Sequence, residues 1–123
     1  MRIIGGSGIQ VKTIHDGGVT ILEPEGRIDS SSVGIMDEAF RTAFSAGALA
    51  LLVDMGGVEY ISSGGLRSLL LALKEMRKRE GGMVLCNLSP SVSKVFKLSG
   101  FNTIFDIAPD REEAVDKLRV GLP

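Results

Sequence analysis

The sequence predicts a single α/β domain whose mixed β-sheet begins with an antiparallel hairpin and is covered by about four helices. One observation is the hairpin itself, in which two strand-like segments flank the turn-forming residues His15-Asp16-Gly17-Gly18. Another is the alternation of helix-like and strand-like segments from that hairpin to the C-terminal region. The length of 123 residues suits one well-packed core, with no repeat and no linker.

The chain begins with a short glycine-rich segment that precedes the hairpin. We expect residues 1–8 to be flexible, so that the folded domain runs over residues 9–120. The segment from Gly8 to Ile14 is predicted to be a strand with one buried face, because apolar Ile9 and Val11 alternate with polar Gln10 and Lys12. The returning strand is predicted over Val19–Leu22.

The first helix is predicted after residue 29, where the strand pattern ends. Any of Asp29, Ser30 or Ser31 is a candidate cap, because a short polar side chain satisfies the free N–H groups at a helix start. The helix ends at Gly47. Its buried face carries apolar residues at helical spacing, namely Met36, Ala39, Phe40, Ala43 and Phe44.

Two short, uniformly apolar runs predict central strands that are covered on both faces. They are Ala48–Val53 and Met83–Asn87, and the helix between them makes a parallel pairing the expected arrangement. Ser89-Pro90 starts the next helix. A short strand is predicted within Phe101–Ile107, and Asp110 caps the last helix.

Composition and charge exclude several classes of protein. Fourteen basic and fifteen acidic residues leave a net charge of −1, so we expect no direct binding to nucleic acid or to an anionic membrane. The basic cluster Lys74–Arg79 is interpreted as the solvated face of a helix. The single Cys86 rules out an internal disulfide, and we expect a soluble protein of the reducing cytoplasm.

The inventory of reactive side chains does not favour an enzyme. His15 lies in a predicted turn and Cys86 in a predicted core strand, so no nucleophile and base are brought together. The sequence contains no phosphate-binding loop and no metal-ligand spacing. We therefore expect no catalytic activity, metal or cofactor.

Two serines stand at the start of a leucine-rich helix. Asp54 ends a predicted strand, Val58–Ile61 forms a short apolar segment, and Ser62 and Ser63 follow. The helix has one buried face, formed by Leu66, Leu69, Leu70, Leu73 and Met76. A helix start suits a capping hydroxyl and also a phosphate, because its first N–H groups are free and carry partial positive charge. Residue chemistry alone leaves both roles, and the choice between Ser62 and Ser63, open.

The segment Ile61-Ser62-Ser63-Gly64-Gly65-Leu66 after Asp54 resembles the STAS domain of bacterial anti-sigma factor antagonists. The resemblance implies that the domain is STAS-like and that Ser63 is the phosphate acceptor, with Ser62 the second choice. Many members of the family carry Asp in place of Ser62, and Ser, Thr or Ala in place of Gly64. Gly26, Ile28 and Asp29 match a family stretch that leads into the first helix and places its Asp near the acceptor. The residues that the resemblance assigns to partner binding are Asp29, Asp54, Ile61, Ser62, Gly64, Gly65 and Leu66.

The resemblance also implies a partner switch. The unmodified protein would bind an anti-sigma factor that has serine-kinase activity and so release a sigma factor. Phosphorylation of Ser63 would end that binding, and a PP2C-type phosphatase would reverse it, with ATP and Mg²⁺ belonging to the kinase. The alternative is a STAS scaffold or nucleotide-binding module in a larger regulatory or transport assembly, with Ser63 only a helix cap. A monomer and a homodimer are both compatible with the sequence.

Overall fold

The computed structural model describes residues 1–6 and 8–120. The strands are β1 (Arg2–Gly6), β2 (Ile9–Asp16), β3 (Val19–Ile28), β4 (Ala50–Asp54), β5 (Gly57–Ile61), β6 (Gly82–Cys86) and β7 (Asp106–Ala108). The helices are α1 (Val33–Ser45), α2 (Ser63–Lys78), α3 (Pro90–Ser99) and α4 (Arg111–Val120), with a short 3₁₀ helix at Phe101–Thr103.

All seven strands of the described residues belong to one mixed sheet. Its spatial order is β1-β2-β3-β4-β6-β7, and β5 pairs with β3. The pairs β1/β2 and β2/β3 are antiparallel, whereas β3/β4, β3/β5, β4/β6 and β6/β7 are parallel. The predicted α/β domain, with a mixed sheet, an initial hairpin and four helices, is confirmed.

Helices cover both faces of the sheet. Alternate residues of β4 point to opposite sides, so that Leu51 and Val53 join one core and Ala50 and Leu52 join the other. Helices α1, α2 and α3 bury apolar residues in the first core, and α4 buries Ala114, Val115 and Leu118 in the second. The uniformly apolar strands therefore arise from burial on both faces, as predicted.

The expectation of a flexible segment over residues 1–8 was wrong for Arg2–Gly6, which forms β1. This strand pairs antiparallel with β2 from Arg2 opposite Thr13 to Gly6 opposite Ile9. β1 can form despite its glycines because strand pairing depends on backbone hydrogen bonds, which need no side chains. Ile4 also packs against the larger core and helps to hold the strand in place. Glycine lowers the strand propensity of the segment, so its sequence gave little sign of this edge strand.

The prediction of a strand within Phe101–Ile107 was partly wrong. Phe101–Thr103 is a 3₁₀ helix, and the strand begins later, at Asp106. The rings of Phe101 and Phe105 pack edge-on against that of Phe96, with centroids 6.3 and 5.9 Å away. Three aromatic rings gathered at one place require a compact turn of the chain rather than an extended one.

Candidate functional site

The register of the sheet brings Asp29 beside the two serines. Strand β5 runs parallel to β3 with Ile61 opposite Ile28. The main-chain N–H of Ser62 donates a hydrogen bond to the carbonyl of Ile28 at 2.8 Å. Asp29 and Ser62 therefore lie side by side where β3 and β5 end, which is the proximity that the resemblance implied for Asp29.

Ser62 is the cap of α2. It has an extended backbone, and its side-chain oxygen accepts a hydrogen bond from the N–H of Gly65 at 3.2 Å. Its carbonyl accepts from the N–H of Leu66 at 3.0 Å, which begins the helical hydrogen bonds. Ser62 thus satisfies one of the free donors of the first turn, as N-cap serines commonly do.

Ser63 is the first helical residue and has a different environment. It is exposed, and among the described residues its hydroxyl makes no hydrogen bond to another side chain or to the backbone. The interpretation of Ser63 as a helix cap was therefore wrong, because the helix begins at Ser63 itself, one residue earlier than that role requires. Ser62 therefore has the capping role, and Ser63 presents an exposed hydroxyl that takes no part in the cap.

This division predicts different stabilities for two single substitutions. Ser62→Ala removes the cap and is expected to lower the free energy of unfolding by about 1 kcal/mol. Ser63→Ala removes an exposed hydroxyl and is expected to change the same quantity by less than about 0.5 kcal/mol. Urea denaturation followed by circular dichroism measures both, and equal losses in the two variants would contradict the assignment of the cap.

Asp29 shapes the turn that precedes α1. Its carboxylate accepts hydrogen bonds from the hydroxyl of Ser31 at 2.7 Å and from the N–H of Ser31 at 3.0 Å, and these bonds lower the pKa of Asp29. The residue at the N-cap position of α1 is Ser32, which makes no side-chain capping bond. Its buried hydroxyl donates to the carbonyl of Arg27 instead. The candidate caps Asp29, Ser30 and Ser31 were therefore wrong, because these residues form a turn before the helix begins.

Asp54 does not belong to the serine site. Asp54 follows Val53, which pairs with Leu22 of β3. Asp54 is therefore level with Glu23, which lies six residues before Asp29 in the chain. At 3.3 Å per residue this is a separation of roughly 20 Å. The sequence could not show this, because β5 pairs with a part of β3 that extends beyond the end of β4.

Asp54 instead joins a network of ionic hydrogen bonds. One of its carboxylate oxygens accepts from the Nδ2 atom of Asn87 at 3.1 Å, and the other accepts from Nη2 of Arg111 at 3.0 Å. The same Nη2 atom lies 2.8 Å from the Oε2 atom of Glu23. Arg111 is the first residue of α4, so this network fastens α4 to β3 and β4.

The apolar residues expected to contact a partner are buried. Ile61 is 3% exposed and Leu66 is 7% exposed, so both belong to the core. Tyr60 is one of the exposed residues of this segment, and the guanidinium group of Arg27 lies 4.4 Å from the centre of its ring. Sequence reasoning missed this pair, although strand alternation beside a buried Ile61 is a signal for an exposed Tyr60.

The two glycines at the start of α2 are under different constraints. A Cβ atom at Gly64 would lie 3.6 Å from Oγ of Ser62, an ordinary contact. A Cβ atom at Gly65 would lie only 2.7 Å from Cγ2 of Ile28 and 2.7 Å from Cγ1 of Ile61. Gly65 therefore lets the helix start lie directly on β3 and β5, whereas Gly64 has room for a side chain.

The described residues contain no group of three or more His, Cys, Asp and Glu side chains that could hold a metal ion. Cys86 is buried, and desolvation raises the pKa of its thiol to about 12. Within residues 1–6 and 8–120, no helix is long and apolar enough to cross a bilayer.

Comparison with known proteins assigns the chain to a family. The model of the STAS domain matches residues 10–114. The chain belongs to the STAS domain family. This STAS domain is 36% identical over 106 residues to the candidate anti-sigma factor antagonist BtrV of Bordetella bronchiseptica, an alignment that covers 86% of this chain and 91% of BtrV.

Solved structures share the fold of this STAS domain. The crystal structure of an anti-sigma factor antagonist from Mycobacterium paratuberculosis aligns with a TM-score of 0.84 at 23% identity, over 90% of this chain and 94% of that one. The phosphorylated form of SpoIIAA from Bacillus aligns with a TM-score of 0.67 at 24% identity, over 87% of this chain and 97% of that one. Anti-sigma factor antagonists of the STAS family regulate by binding other proteins, and this chain is not an enzyme.

Proposed function

We propose that this STAS domain is an anti-sigma factor antagonist of the cytoplasm whose binding is switched by phosphorylation of Ser63. The unphosphorylated form binds an anti-sigma factor with serine-kinase activity and thereby releases a sigma factor. The kinase then phosphorylates Ser63 and the complex dissociates, and a PP2C-type phosphatase restores the binding form. The alignment with BtrV over most of both chains supports the antagonist role.

The observation that carries this proposal is the free hydroxyl of Ser63 at the first position of α2. Ser63 is exposed, so a kinase can reach it without unfolding the domain. Ser62 is partly buried and holds the cap with its side-chain oxygen, so modifying it would cost the helix that hydrogen bond. The geometry therefore favours Ser63 over Ser62 as the acceptor.

A phosphate at Ser63 is expected to change binding rather than folding. It adds about −1.5 to −2 charges at pH 7. The start of a helix favours negative charge, and α2 has no acidic residue in its first turn to repel the phosphate. In a protein interface the same charge would meet the carboxylates of a partner and would lose its hydration. SpoIIAA, which shares this fold, has been solved in phosphorylated form.

The two departures from the family pattern leave the site geometry intact. Serine and aspartate are both good N-cap residues, so Ser62 performs the capping role that an Asp would perform there. A side chain at Gly64 would make no close contact, so a glycine is not required at this position to avoid a clash. The scaffold alternative interprets Ser63 as a helix cap, which does not fit the position of the helix start.

Affinity capture with variants of Ser63 tests the proposal. The baits are the wild type, Ser63→Ala and Ser63→Glu, incubated with lysate of the source organism. We expect the wild type and Ser63→Ala to retain an ATP-binding anti-sigma factor kinase, and Ser63→Glu to retain at least about tenfold less of it because the carboxylate imitates part of the phosphate charge. Mass spectrometry identifies and quantifies the kinase.

Ser45→Glu is the matched control for the introduced charge. Ser45 is exposed and ends α1, and α1 lies alongside α2 with Asp37 near Ser68 and Phe44 near Arg79. Ser45 therefore lies at the opposite end of the helix pair from Ser63. The proposal fails if all baits retain the same proteins or if no kinase is retained. Binding of ATP or GTP by the isolated chain would favour the nucleotide-binding alternative.

A further inference from the structure

The outward face of α2 carries a continuous row of exposed residues that starts at Ser63. The members of this row, which we call the α2 ridge, are Ser63, Arg67, Leu71, Lys74 and Lys78. They follow one another at intervals of four, four, three and four residues, so they lie on one face of the helix. The opposite face of α2 packs toward the sheet, and its buried residues include Gly65, Leu69, Ala72 and Met76. The ridge therefore projects directly away from the core.

The ridge lies in the most basic part of the chain. Residues 63–80 contain five basic and two acidic side chains, a net charge of +3, whereas the whole chain carries −1. The remainder of the molecule thus has a net charge of −4. One of the two acids, Glu75, already pairs with Arg79 at 2.7 Å and lies beside α1 rather than on the ridge. This separation of charge gives α2 a local positive potential that the net charge conceals.

An apolar side chain interrupts the charges at the middle of the ridge. Leu71 is 50% exposed and stands between Arg67 and Lys74. The other leucines of α2, at positions 66, 69, 70 and 73, are buried or partly buried. A central apolar contact with charged residues around it is the usual composition of a protein interface, whereas nucleic-acid backbones offer no counterpart to the leucine.

We propose that the α2 ridge docks on an acidic surface of the partner protein, with Leu71 as its central apolar contact. This inference rests on the proposed function and names the chemistry of the partner surface. Arg67, Lys74 and Lys78 pair with carboxylates, and Ser63 lies at the end of the same contact. The positive charge of α2 faces the negative charge of the partner's acidic surface, and this attraction accelerates association and fixes the orientation of the complex.

The ridge also gives a physical account of release by phosphorylation. A phosphate on Ser63 adds about −1.5 to −2 charges at the end of the ridge, which offsets about half to two thirds of the positive charge of Arg67, Lys74 and Lys78. Arg67 lies one helical turn from Ser63, at the spacing where opposite charges pair along a helix. The phosphate therefore draws Arg67 away from the partner and repels the partner's carboxylates at the same time.

Charge reversal on the ridge tests the proposal with a defined probe. The probe is the purified anti-sigma factor kinase that the wild type retains, and its affinity is measured by surface plasmon resonance at low and high salt. We expect Arg67→Glu and Lys74→Glu each to weaken binding roughly tenfold at low salt, mainly through slower association, and to lose most of that effect at high salt. Leu71→Ala is expected to weaken binding roughly fivefold at both salt concentrations, because an apolar contact is not screened.

Arg2→Glu is the matched control, because it changes the net charge by the same amount as Arg67→Glu and Lys74→Glu. Arg2 is exposed and lies on the edge strand β1, which β2 and β3 separate from β4. The proposal is overturned if the ridge variants bind like Arg2→Glu while the kinase still phosphorylates Ser63, a result that leaves the proposed function standing. Failure of the wild type to bind the kinase overturns both. Tight binding of a labelled DNA duplex that the ridge variants abolish, with kinase binding unchanged, would make the ridge a nucleic-acid surface and also overturns the proposal.

Discussion

Gly65→Val is expected to lower the free energy of unfolding by about 3 kcal/mol. The first added carbon alone would lie 2.7 Å from side-chain atoms of both Ile28 and Ile61, and these residues are fixed in the core. The two further methyl groups of valine have no space on that side. Relief requires α2 to move away from β3 and β5, which would also move Ser62 and Ser63 away from Asp29. Guanidinium denaturation measures the loss of stability.

Gly64→Val is the matched control, because it makes the same substitution one residue earlier on the same helix. A Cβ atom at that position would make only an ordinary contact with Oγ of Ser62 at 3.6 Å, and Gly64 is exposed. We expect the free energy of unfolding to stay within about 0.5 kcal/mol of the wild type, because valine has a somewhat better helix propensity than glycine. Equal effects of the two substitutions would show that the close approach at Gly65 is not a constraint.

Arg111→Met is expected to lower the free energy of unfolding by about 3 kcal/mol. The substitution keeps most of the length of the side chain but removes the donor that bridges Glu23 and Asp54. The side chains of these two acids are only 24% and 14% exposed, so their charges would be left close together without a partner and with little access to water. The N-terminus of α4 would also lose its connection to β3 and β4.

Lys117→Met provides the control for this prediction. It removes an ion pair of the same helix, in which Nζ of Lys117 lies 2.8 Å from Oδ1 of Asp106. The two side chains are 41% and 52% exposed, so water and salt already screen the pair. We expect a loss below about 1 kcal/mol. Thermal and urea denaturation of both variants measure the difference, and a loss at Lys117 as large as that at Arg111 would contradict the importance of burial.

Much of the fold could be predicted from the sequence because its signals are local. The apolar runs of β4 and β6 and the helical spacing of the leucines in α2 follow directly from burial. The edge strand β1 and the pairing of β5 with β3 were missed, since both depend on contacts between distant segments rather than on propensity. The position of the two serines at a helix start was also predictable, because the helical spacing of the leucines marks where α2 begins.

The details of the site were less accessible to sequence reasoning. Which serine caps α2 depends on the backbone angles of a single residue, and Ser62 and Ser63 are chemically identical. The distance of Asp54 from Ser62 is set by the register along β3, which the local sequence does not show. Ile61 and Leu66 are adjacent to the serines in sequence but point inward, whereas Tyr60 and the α2 ridge point outward.

The ten residues of β3 connect two regions with separate tasks. Its first half pairs with β4 and carries Glu23, which Arg111 holds, and its second half pairs with β5 and ends beside the serines. Changes at the first end, such as loss of the Arg111 contacts, are therefore expected to lower stability while leaving the serines in place. Exposed residues at the second end, such as Ser63, can change with little loss of stability, and in the proposed function such changes would alter the affinity and timing of the switch. The length of one strand thus separates a region that sets the folded fraction from the exposed residues of the proposed switch.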